Sequence, residues 1–374
     1  MRLGVDAREI QDGVVTGIGR SLANFIAYFG AHDASHELAL FAEKKLPIPL
    51  GPRCREVVIP AWPTFLWDQW RLPLRLKGER IDLFYSPYYK LPLFSPIPAV
   101  GQVLDLMYLV FPPYVQALGP LGRLYYATVG RACALKAIAV VTDSDHARGD
   151  IIRLWGIRPE KITVIPLGLA DRYRPVTDKE VLAAVRQRFG LPDRYLLYLG
   201  NFKPHKNVVS LVRAFAGLRK AFEGCKLVLA GPLDAHGQAI QAQVEAAGLA
   251  GDVVFTGAIR EEDQPEALLS MAELFVFPSL YEGFGIPPLE AMACGVAVVA
   301  SNRTAIPEVV GDAGLSVDPL DIRALEEAIA SLLGDEPLRK RYALKGLKRA
   351  EGFRAEQTAG RLYKHIIEIM ETKL

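Results

Sequence analysis

Two glutamates in the last third of the chain, Glu282 and Glu290, stand eight positions apart around a Gly-x-Gly turn. The run reads Tyr281-Glu282-Gly283-Phe284-Gly285-Ile286-Pro287-Pro288-Leu289-Glu290. Proline is favoured at a first helical position, where its missing N–H costs nothing. The pattern therefore predicts a loop that carries Glu282 and a helix that carries Glu290. The loop amides and the positive end of the helix can hold a phosphate, and the two carboxylates can accept hydrogen bonds from sugar hydroxyls.

This stretch, followed by Ala291-Met292-Ala293-Cys294-Gly295, resembles the Glu-x7-Glu donor motif of retaining GT-B glycosyltransferases. More narrowly, it resembles glycosyltransferase family 4, which includes bacterial mannosyltransferases of O-antigen and glycolipid assembly. The resemblance implies an α/β fold of two doubly wound, parallel-sheet (Rossmann-like) domains that face each other across a cleft.

The resemblance also implies an activity. The expected reaction is metal-independent, retaining transfer of a hexosyl unit, with mannose as the expected sugar. The co-substrate is a GDP- or UDP-sugar, GDP-mannose being favoured, and no cofactor is expected. The acceptor is a saccharide or lipid-linked saccharide of cell-surface polysaccharide synthesis. The alternative is a non-catalytic relative that binds a nucleotide-sugar or a glycan.

Within the motif, the resemblance assigns a role to each group. Glu290 is expected to accept hydrogen bonds from the ribose hydroxyls and Glu282 from the hydroxyls of the transferred sugar. The backbone amides of Phe284, Gly285 and Ile286 are expected to face the sugar and the phosphate.

A second candidate element, Gly200-Asn201-Phe202-Lys203-Pro204-His205-Lys206-Asn207, lies between a predicted strand and a predicted helix. A lysine at a helix start can meet a diphosphate as a point charge, and the resemblance places the phosphate-binding lysine at Lys206. The family usually adds an arginine just after the strand; here Asn201 stands in that region, and Lys203 is the candidate substitute. Arginine and lysine differ at such a site because only arginine forms a bidentate contact. Ile259 matches a position that touches the base in similar enzymes.

Two stretches of the first half are further candidates. Thr16-Gly17-Ile18-Gly19-Arg20 opens the first predicted helix, and Gly17 and Gly19 let a ligand approach the backbone closely. It resembles the family's T-G-I-G-R loop beside the donor phosphates and the acceptor, with a plain tight turn as the alternative. In Val103-Leu104-Asp105-Leu106, the family usually has His-Asp, so Leu104 replaces a histidine that helps to position the transferred sugar. Asp105 is either a catalytic group in the cleft or a helix cap.

Two other patterns suggest metal sites but favour simpler interpretations. Asp143-Ser144-Asp145 has the D-x-D form that holds a metal-nucleotide pair in the other glycosyltransferase fold, yet it precedes a predicted helix and favours capping. His32 and His36 are predicted to be surface histidines, because no Glu-x-x-His context accompanies them. We therefore expect no metal site.

The organisation of the chain follows from length and periodicity. At 374 residues the chain predicts two domains. Residues 1–170 are expected to form the acceptor-side domain, with the C-terminal helix 355–374 packed back on it, and residues 171–354 the nucleotide-sugar domain. β-branched and apolar runs predict strands at Leu3–Asp6, Leu38–Ala42, Glu56–Ile59, Leu83–Tyr85, Val100–Leu104, Ala137–Thr142, Tyr195–Gly200, Lys226–Ala230, Val253–Gly257, Leu274–Pro278 and Val296–Ala300.

Charge, motifs and cysteine usage exclude some classes of protein and favour a cytoplasmic location. A net charge of +2 argues against a nucleic-acid binder, and a nicotinamide dehydrogenase would need a dinucleotide fingerprint that is missing. The scattered cysteines indicate reduced thiols in a cytoplasmic protein. Residues 62–80 interleave aromatic and basic side chains, which suits a membrane headgroup layer, an acceptor wall or a packed helix. If residues 62–80 contact a membrane, we expect the contact to be at its inner face.

Overall fold

The computed structural model describes residues 1–11 and 17–372. It divides into two compact units. Unit 1 comprises Met1–Gly168 and the C-terminal segment that begins at Ala355, and unit 2 comprises Leu169–Arg354. Each unit contains one sheet in which every strand pair is parallel. The predicted α/β class with two parallel sheets is confirmed.

Unit 1 contains a seven-stranded sheet in the order β3-β2-β1-β4-β5-β6-β7. The strands are β1 (Arg2–Asp6), β2 (Glu37–Ala42), β3 (Cys54–Val58), β4 (Leu83–Ser86), β5 (Ala99–Gln102), β6 (Ala139–Thr142) and β7 (Ile162–Val164). The helices are α1 (Gly17–His32), α2 (Thr64–Leu66), α3 (Leu72–Gly78), α4 (Met107–Val110), α5 (Pro112–Tyr125), α6 (Arg131–Lys136), α7 (Asp145–Trp155) and the C-terminal α16 (Ala355–Thr372). A π-helical turn, Trp67–Arg71, joins α2 to α3.

Unit 2 contains a six-stranded sheet in the order β10-β9-β8-β11-β12-β13. The strands are β8 (Arg194–Leu199), β9 (Cys225–Ala230), β10 (Val253–Gly257), β11 (Leu274–Phe277), β12 (Ala297–Ser301) and β13 (Leu315–Val317). The helices are α8 (Lys179–Phe189), α9 (Val208–Leu218), α10 (Ala235–Ala246), α11 (Pro265–Ser270), α12 (Ile286–Ala293), α13 (Ile306–Val310), α14 (Ile322–Gly334) and α15 (Glu336–Glu351).

The central strands form where the sequence is continuously apolar. All four residues of β11 are fully buried, and β12 is buried along its whole length. Because helices cover both faces of a parallel sheet, such strands show no alternation of polar and apolar side chains. Their aromatic and β-branched residues also favour the extended backbone.

The C-terminal helix α16 completes the core of unit 1. Ile366, Ile369 and Met370 on α16 are buried in one cluster with Phe25 and Phe29 of α1. The Tyr363 hydroxyl donates a hydrogen bond of 3.0 Å to Asp33. The last helix is therefore part of the first folding unit, although it lies far from that unit in sequence.

The structure corrects several predicted elements. Strand β5 ends at Gln102, so Leu104 lies in the following loop and not in the strand. The short strands β7 and β13 were not predicted, because three residues carry too little periodicity. His36 is buried against Asp33, at 2.9 Å, and is not a surface histidine.

We predict that Ile366→Ala destabilises unit 1 by about 2–5 kcal/mol, because the deletion leaves a cavity in a core that cannot collapse fully. Urea unfolding followed by tryptophan fluorescence measures this directly, since all four tryptophans (residues 62, 67, 70 and 155) lie in unit 1. The control is Leu344→Ala, at a side chain 67% exposed in unit 2. Equal midpoints for Ile366→Ala and the wild type would show that α16 does not contribute to the core.

Candidate functional site

In unit 2, the strand order places two loops side by side. The chain runs outward from β8 to β10 and then returns to the other side of β8 as β11. In an open parallel sheet, such a reversal leaves a crevice at the carboxyl ends of the two strands. The loop after β8 carries Lys206, and the loop after β11 carries Glu282. The topology thus brings together two candidates that are 76 residues apart in sequence.

Lys206 and Glu282 form an ion pair with a distance of 2.6 Å between Nζ and Oε1. The two side chains are 11% and 13% exposed. The Lys206 ammonium also lies 5.0 Å from the centroid of the Phe277 ring, where the electron-rich face attracts a cation. Because little water screens it, this charge can act strongly on an anion that enters the crevice.

Hydrogen bonds to main-chain carbonyls hold the two loops together. The Leu280 N–H donates to the His205 carbonyl at 2.7 Å. Asn207, whose φ is +52°, donates from its side-chain amide to the carbonyls of Pro278, at 3.2 Å, and Pro319, at 2.8 Å. Asparagine is among the few residues that tolerate this left-handed conformation. Asn207 therefore fixes the loop that presents Lys206.

The backbone of Glu282 is held by a residue that sequence analysis missed. The Glu282 N–H donates to the Thr304 hydroxyl at 3.0 Å. Thr304 follows β12 and has a φ of +55°, an uncommon value for a β-branched residue. Thr304 lies 22 residues beyond Glu282, so no local sequence pattern linked it to the site.

The predicted loop-to-helix junction is present. Gly285 has a φ of +113°, a conformation that only glycine adopts easily, and helix α12 starts at the next residue. Glu290 lies one helical turn after Ile286, so both face the same side of α12. Glu290 is 6% exposed, and its negative charge adds to burial in raising the pKa of the Cys294 thiol. Phe284 is buried with its ring 6.0 Å from that of Phe353.

Lys203 and Ile259 lie along the same edge of the sheet. Lys203 is exposed just before the short turn Pro204–Lys206, and its N–H donates to the Asn201 side chain at 3.2 Å. Ile259 is half-buried after β10, two strands from β8. At about 4.8 Å per strand, this is about 10 Å along the edge.

In unit 1, a cavity of about 380 Å³ opens beside the loops that follow β4 and β5. Its wall is mostly apolar and aromatic, with a few polar groups. The lining residues are Ile18, Pro87, Tyr88, Tyr89, Lys90, Gln102, Leu104, Asp105, Leu106, Met107, Tyr108, Leu109 and Trp155. Leu104 and Asp105 are thus neighbours on one wall, and Asp105 also accepts the Met107 N–H at 3.0 Å, just before α4.

The D-x-D stretch forms a cap and a buried network. Ser144 caps α7 by accepting the Ala147 N–H at 3.1 Å, as predicted. Asp143 instead is buried and accepts a hydrogen bond of 2.8 Å from Gln102, which in turn accepts one of 2.6 Å from the Tyr85 hydroxyl. Burial raises the pKa of Asp143 well above its usual range, and nearby Asp105 adds to the rise. Among the described residues, no three potential ligands cluster as a metal site would require.

The glycine stretch of unit 1 is described only from Gly17 onward, so Thr16 lies outside the described residues. Gly17 is the first residue of α1, and Gly19 is buried within its first turn. Ile18, between them, lines the cavity.

Comparisons with known proteins identify the family of this chain. Residues 184–349 match the family model described as Glycosyl transferases group 1, and residues 15–172 match Glycosyltransferase Family 4. The O-antigen chain mannosyltransferase B of Escherichia coli is 38% identical over 281 residues, which make up 74% of this chain and 72% of that protein. The chain belongs to glycosyltransferase family 4. The predicted family is thereby confirmed.

Further matches of this family 4 glycosyltransferase include a longer relative and two solved structures. The serotype-specific mannosyltransferase WbdA of Escherichia coli is 30% identical over 228 residues, which make up 60% of this chain and 28% of that longer protein. Among solved structures, sucrose-phosphate synthase from Thermosynechococcus elongatus has a TM-score of 0.77 at 22% identity and covers 98% of this chain and 99% of its own. Anabaena HepE in complex with UDP has a TM-score of 0.75 at 19% identity, with the same coverage. These structures confirm the GT-B fold.

The lowered pKa of His205 makes the stability of this family 4 glycosyltransferase depend on pH. Burial, together with the charges of Lys206 and Lys203, lowers the pKa of His205 from 6.5 to about 3. The folded protein therefore keeps this ring neutral, and the stability it contributes is present above pH 6.5 and is lost as the pH falls toward 3. We expect the wild type to lose about 2 kcal/mol of unfolding free energy at pH 5 through this group.

The His205→Gln variant, which does not titrate, provides the measurement. Its unfolding free energy, followed by far-UV circular dichroism, should fall less than that of the wild type between pH 8 and pH 5. A variant with the same slope as the wild type would contradict the assignment of this loss to His205.

Proposed function

We propose that this enzyme transfers a mannosyl unit, with retention, from GDP-mannose to a saccharide or lipid-linked saccharide in cell-surface polysaccharide synthesis. The observation that carries the proposal is the Lys206–Glu282 pair beside the start of α12. Most of the relatives support mannose: O-antigen chain mannosyltransferase B, WbdA and an MMP alpha-(1->4)-mannosyltransferase are all named for it. The similar HepE structure was solved in complex with UDP, which supports a nucleotide-sugar as the donor.

In this proposal, unit 2 is the nucleotide-sugar domain. Lys206 neutralises the charge that grows on the departing diphosphate, which is usually the largest contribution to such a transfer. The exposed Lys203 supplements it in place of the family's usual arginine. Glu290 accepts from the ribose hydroxyls. Ile259, about 10 Å along the sheet edge, contacts the base.

The start of α12 completes the donor site. The amides of Phe284, Gly285 and Ile286 lie where the positive end of the helix favours an anion. Glu282 accepts hydrogen bonds from the transferred sugar, while its ion pair with Lys206 keeps the lysine aimed at the crevice. The positive charges come from lysines and a helix end, so the reaction requires no metal ion.

Unit 1 provides the acceptor side in this proposal. Gly17 and Gly19 let a ligand approach the start of α1, and Asp105 acts from the wall of the cavity. The negative charge of Asp105 adds to burial in raising the pKa of Asp143, so the pair favours a single negative charge on the two carboxyl groups. An apolar Leu104 beside Asp105 removes one hydrogen bond to the sugar.

We also propose that the enzyme is cytoplasmic and contacts the inner face of a membrane through residues 62–80. Cys54, Cys133, Cys225 and Cys294 are all free thiols, which agrees with a reducing compartment. Within the described residues, no helix combines the length and apolar character needed to cross a bilayer.

The proposal is tested by incubating the purified enzyme with GDP-mannose and, separately, with UDP-sugars, in the presence of a chelator and of candidate saccharide acceptors. Release of GDP and formation of an α-linked product, unaffected by the chelator, would support it. Binding of a nucleotide-sugar without hydrolysis or transfer under any condition would instead identify a non-catalytic relative, the alternative that Leu104 and Asn201 motivate.

The two glutamates of the motif should differ in their effects. We expect Glu290→Ala to weaken the binding of GDP-mannose, because the ribose loses its acceptor. Glu282→Ala should chiefly lower turnover, by about 10²–10³-fold, because it contacts the reacting sugar and positions Lys206. Steady-state kinetics and calorimetric binding separate the effects, with the 75% exposed Glu327→Ala as control. Unchanged activity in both site variants would show that the donor site lies elsewhere.

Leu104 should tune the choice of donor without deciding whether transfer occurs. One lost hydrogen bond corresponds to about 0.5–1.5 kcal/mol, or about two- to twelvefold in rate. We expect Leu104→His to raise the rate or sharpen the preference between two donors that differ at one hydroxyl, within that range. Leu104→Met should leave both unchanged, because its size and polarity are similar. An inert wild type and a histidine variant that gains several orders of magnitude would show that Leu104 had abolished catalysis.

A further inference from the structure

The helical segment of residues 64–78 exposes an apolar stripe. Leu66, Trp70 and Leu74 repeat every four residues and so follow one another along the outer face, with Phe65 and Trp62 at its beginning. These five side chains are between 43% and 65% exposed. From Phe65 to Leu74 the stripe is about 14 Å long at 1.5 Å per residue. A contiguous apolar surface of this kind marks an interaction site.

The stripe cannot be hidden by rotating the segment, because the opposite face is fixed in the core of unit 1. Trp67, Leu72 and Leu76 are buried there. The Trp67 ring lies under the Arg8 guanidinium, 3.8 Å from its centroid, and its indole N–H donates to the Ile59 carbonyl at 3.2 Å. The segment thus has two apolar faces, of which only one contributes to folding.

A neighbouring loop widens the exposed surface. The Gln69 side chain donates to the Leu91 carbonyl at 3.1 Å and accepts the Leu93 N–H at 2.7 Å. This clamp holds the loop next to the helical segment, where Phe94 is 81% exposed and Lys136 lies over its ring at 5.2 Å.

Basic side chains lie at both ends of the stripe. The Arg71 guanidinium lies 4.0 Å from the Trp62 ring centroid. At the carboxyl end of the segment, a groove of about 620 Å³ contains Arg2, Arg53, Arg55 and Arg80. Glu37 pairs with Arg2 and Glu79 with Arg55, each at 2.6 Å.

The positive charge of this groove is only partly neutralised. In the described parts of the chain, the side chains of Arg53 and Arg80, which line the groove, form no ion pair, although both are exposed. Lys77, on the helical segment just before the groove, is also exposed and forms no ion pair among the described residues. An apolar stripe flanked by unneutralised cations is complementary to a surface that is apolar beneath an anionic layer.

We propose that this face docks on an anionic lipid bilayer. The stripe enters the boundary between headgroups and acyl chains, and the arginine groove binds lipid phosphates. Tryptophan side chains favour that boundary because their rings are apolar with one polar N–H, and basic residues near it are attracted by anionic lipids. The inference names the lipid class for the membrane contact proposed above and is independent of the transfer reaction.

A second copy of the chain fits this surface less well. In a two-fold dimer the same patch meets itself, so this surface would face a partner surface with the same excess of unpaired arginines. The bilayer satisfies both the apolar stripe and the cationic groove.

The test is flotation of the full-length protein with vesicles of phosphatidylcholine alone and of phosphatidylcholine mixed with phosphatidylglycerol. We expect binding to the mixed vesicles, weakened by salt, and a blue shift of tryptophan fluorescence. Trp62→Gln/Trp70→Gln should weaken binding by about tenfold for each tryptophan. Arg53→Gln/Arg80→Asn should weaken it by about fivefold for each arginine and remove the preference for phosphatidylglycerol.

Matched controls come from exposed residues of unit 2. Arg341→Gln/Lys348→Gln removes the same number of positive charges, and Leu344→Gln removes one exposed apolar side chain. Both lie far from this surface in sequence and should leave vesicle binding unchanged. The circular dichroism spectrum confirms that each variant is folded. Transfer to a water-soluble acceptor should be the same in the tryptophan variant and the wild type, so a failure of docking is distinguished from a failure of the proposed reaction.

Two outcomes would overturn the proposal. One is no binding of the wild type to the mixed vesicles at low salt. The other is vesicle binding that both sets of substitutions leave intact. If light scattering showed a dimer that the tryptophan substitutions dissociate while vesicle binding is unchanged, the stripe would be a self-association surface.

Discussion

The ion pair between Lys206 and Glu282 is the interaction on which the candidate donor site depends. Two charges that are almost removed from water are stable only if each has its partner in good geometry, because desolvation costs several kcal/mol per ion. The distance of 2.6 Å therefore requires that the loops after β8 and β11 be held closely. Asn207 and Thr304 hold them, and the adjacency of β8 and β11 makes this possible.

The two units share the same reversal of strand order but place different side chains beside it. Both sheets reverse their strand order beside the first strand, so both leave a crevice at the carboxyl edge. In unit 2 a buried cation and carboxylate occupy this edge. In unit 1 the corresponding edge carries a largely apolar cavity, with Asp143 and Gln102 buried in a hydrogen-bonded network nearby. This difference underlies the proposal that unit 2 binds the diphosphate and unit 1 a less charged ligand.

The helical segment of residues 64–78 shows how one element can serve folding and still leave an apolar surface. Its inner face, with Trp67 and Leu72, completes the core that covers one face of the sheet. Its outer face contributes less to folding, since Trp70 and Leu74 remain more than half exposed. Exposed apolar residues at helical spacing therefore indicate a second selective constraint on the segment, distinct from stability.

The amino-acid sequence by itself determined the family, the α/β class and the central strands. Strands such as β11 and β12 are buried on both faces because helices cover them, and this produces apolar runs that can be recognised locally. The loop-to-helix junction was also predictable, because Gly285 and the two prolines carry their conformational preferences wherever they occur. For residues 62–80 the sequence left three interpretations open, one of them a packed helix, because apolar side chains occur on the outer face as well as on the inner face.

Only the tertiary structure decided which candidates meet. Lys206 and Glu282 are separated by 76 residues, and Glu282 and Thr304 by 22, so no spacing rule links them. The burial of Asp143, which set its role apart from that of Ser144, depends on Gln102 and Tyr85 from other strands. Local patterns specify the backbone conformation of each segment, whereas ion pairs and buried networks depend on which strand ends become neighbours, and that is a property of the whole sheet.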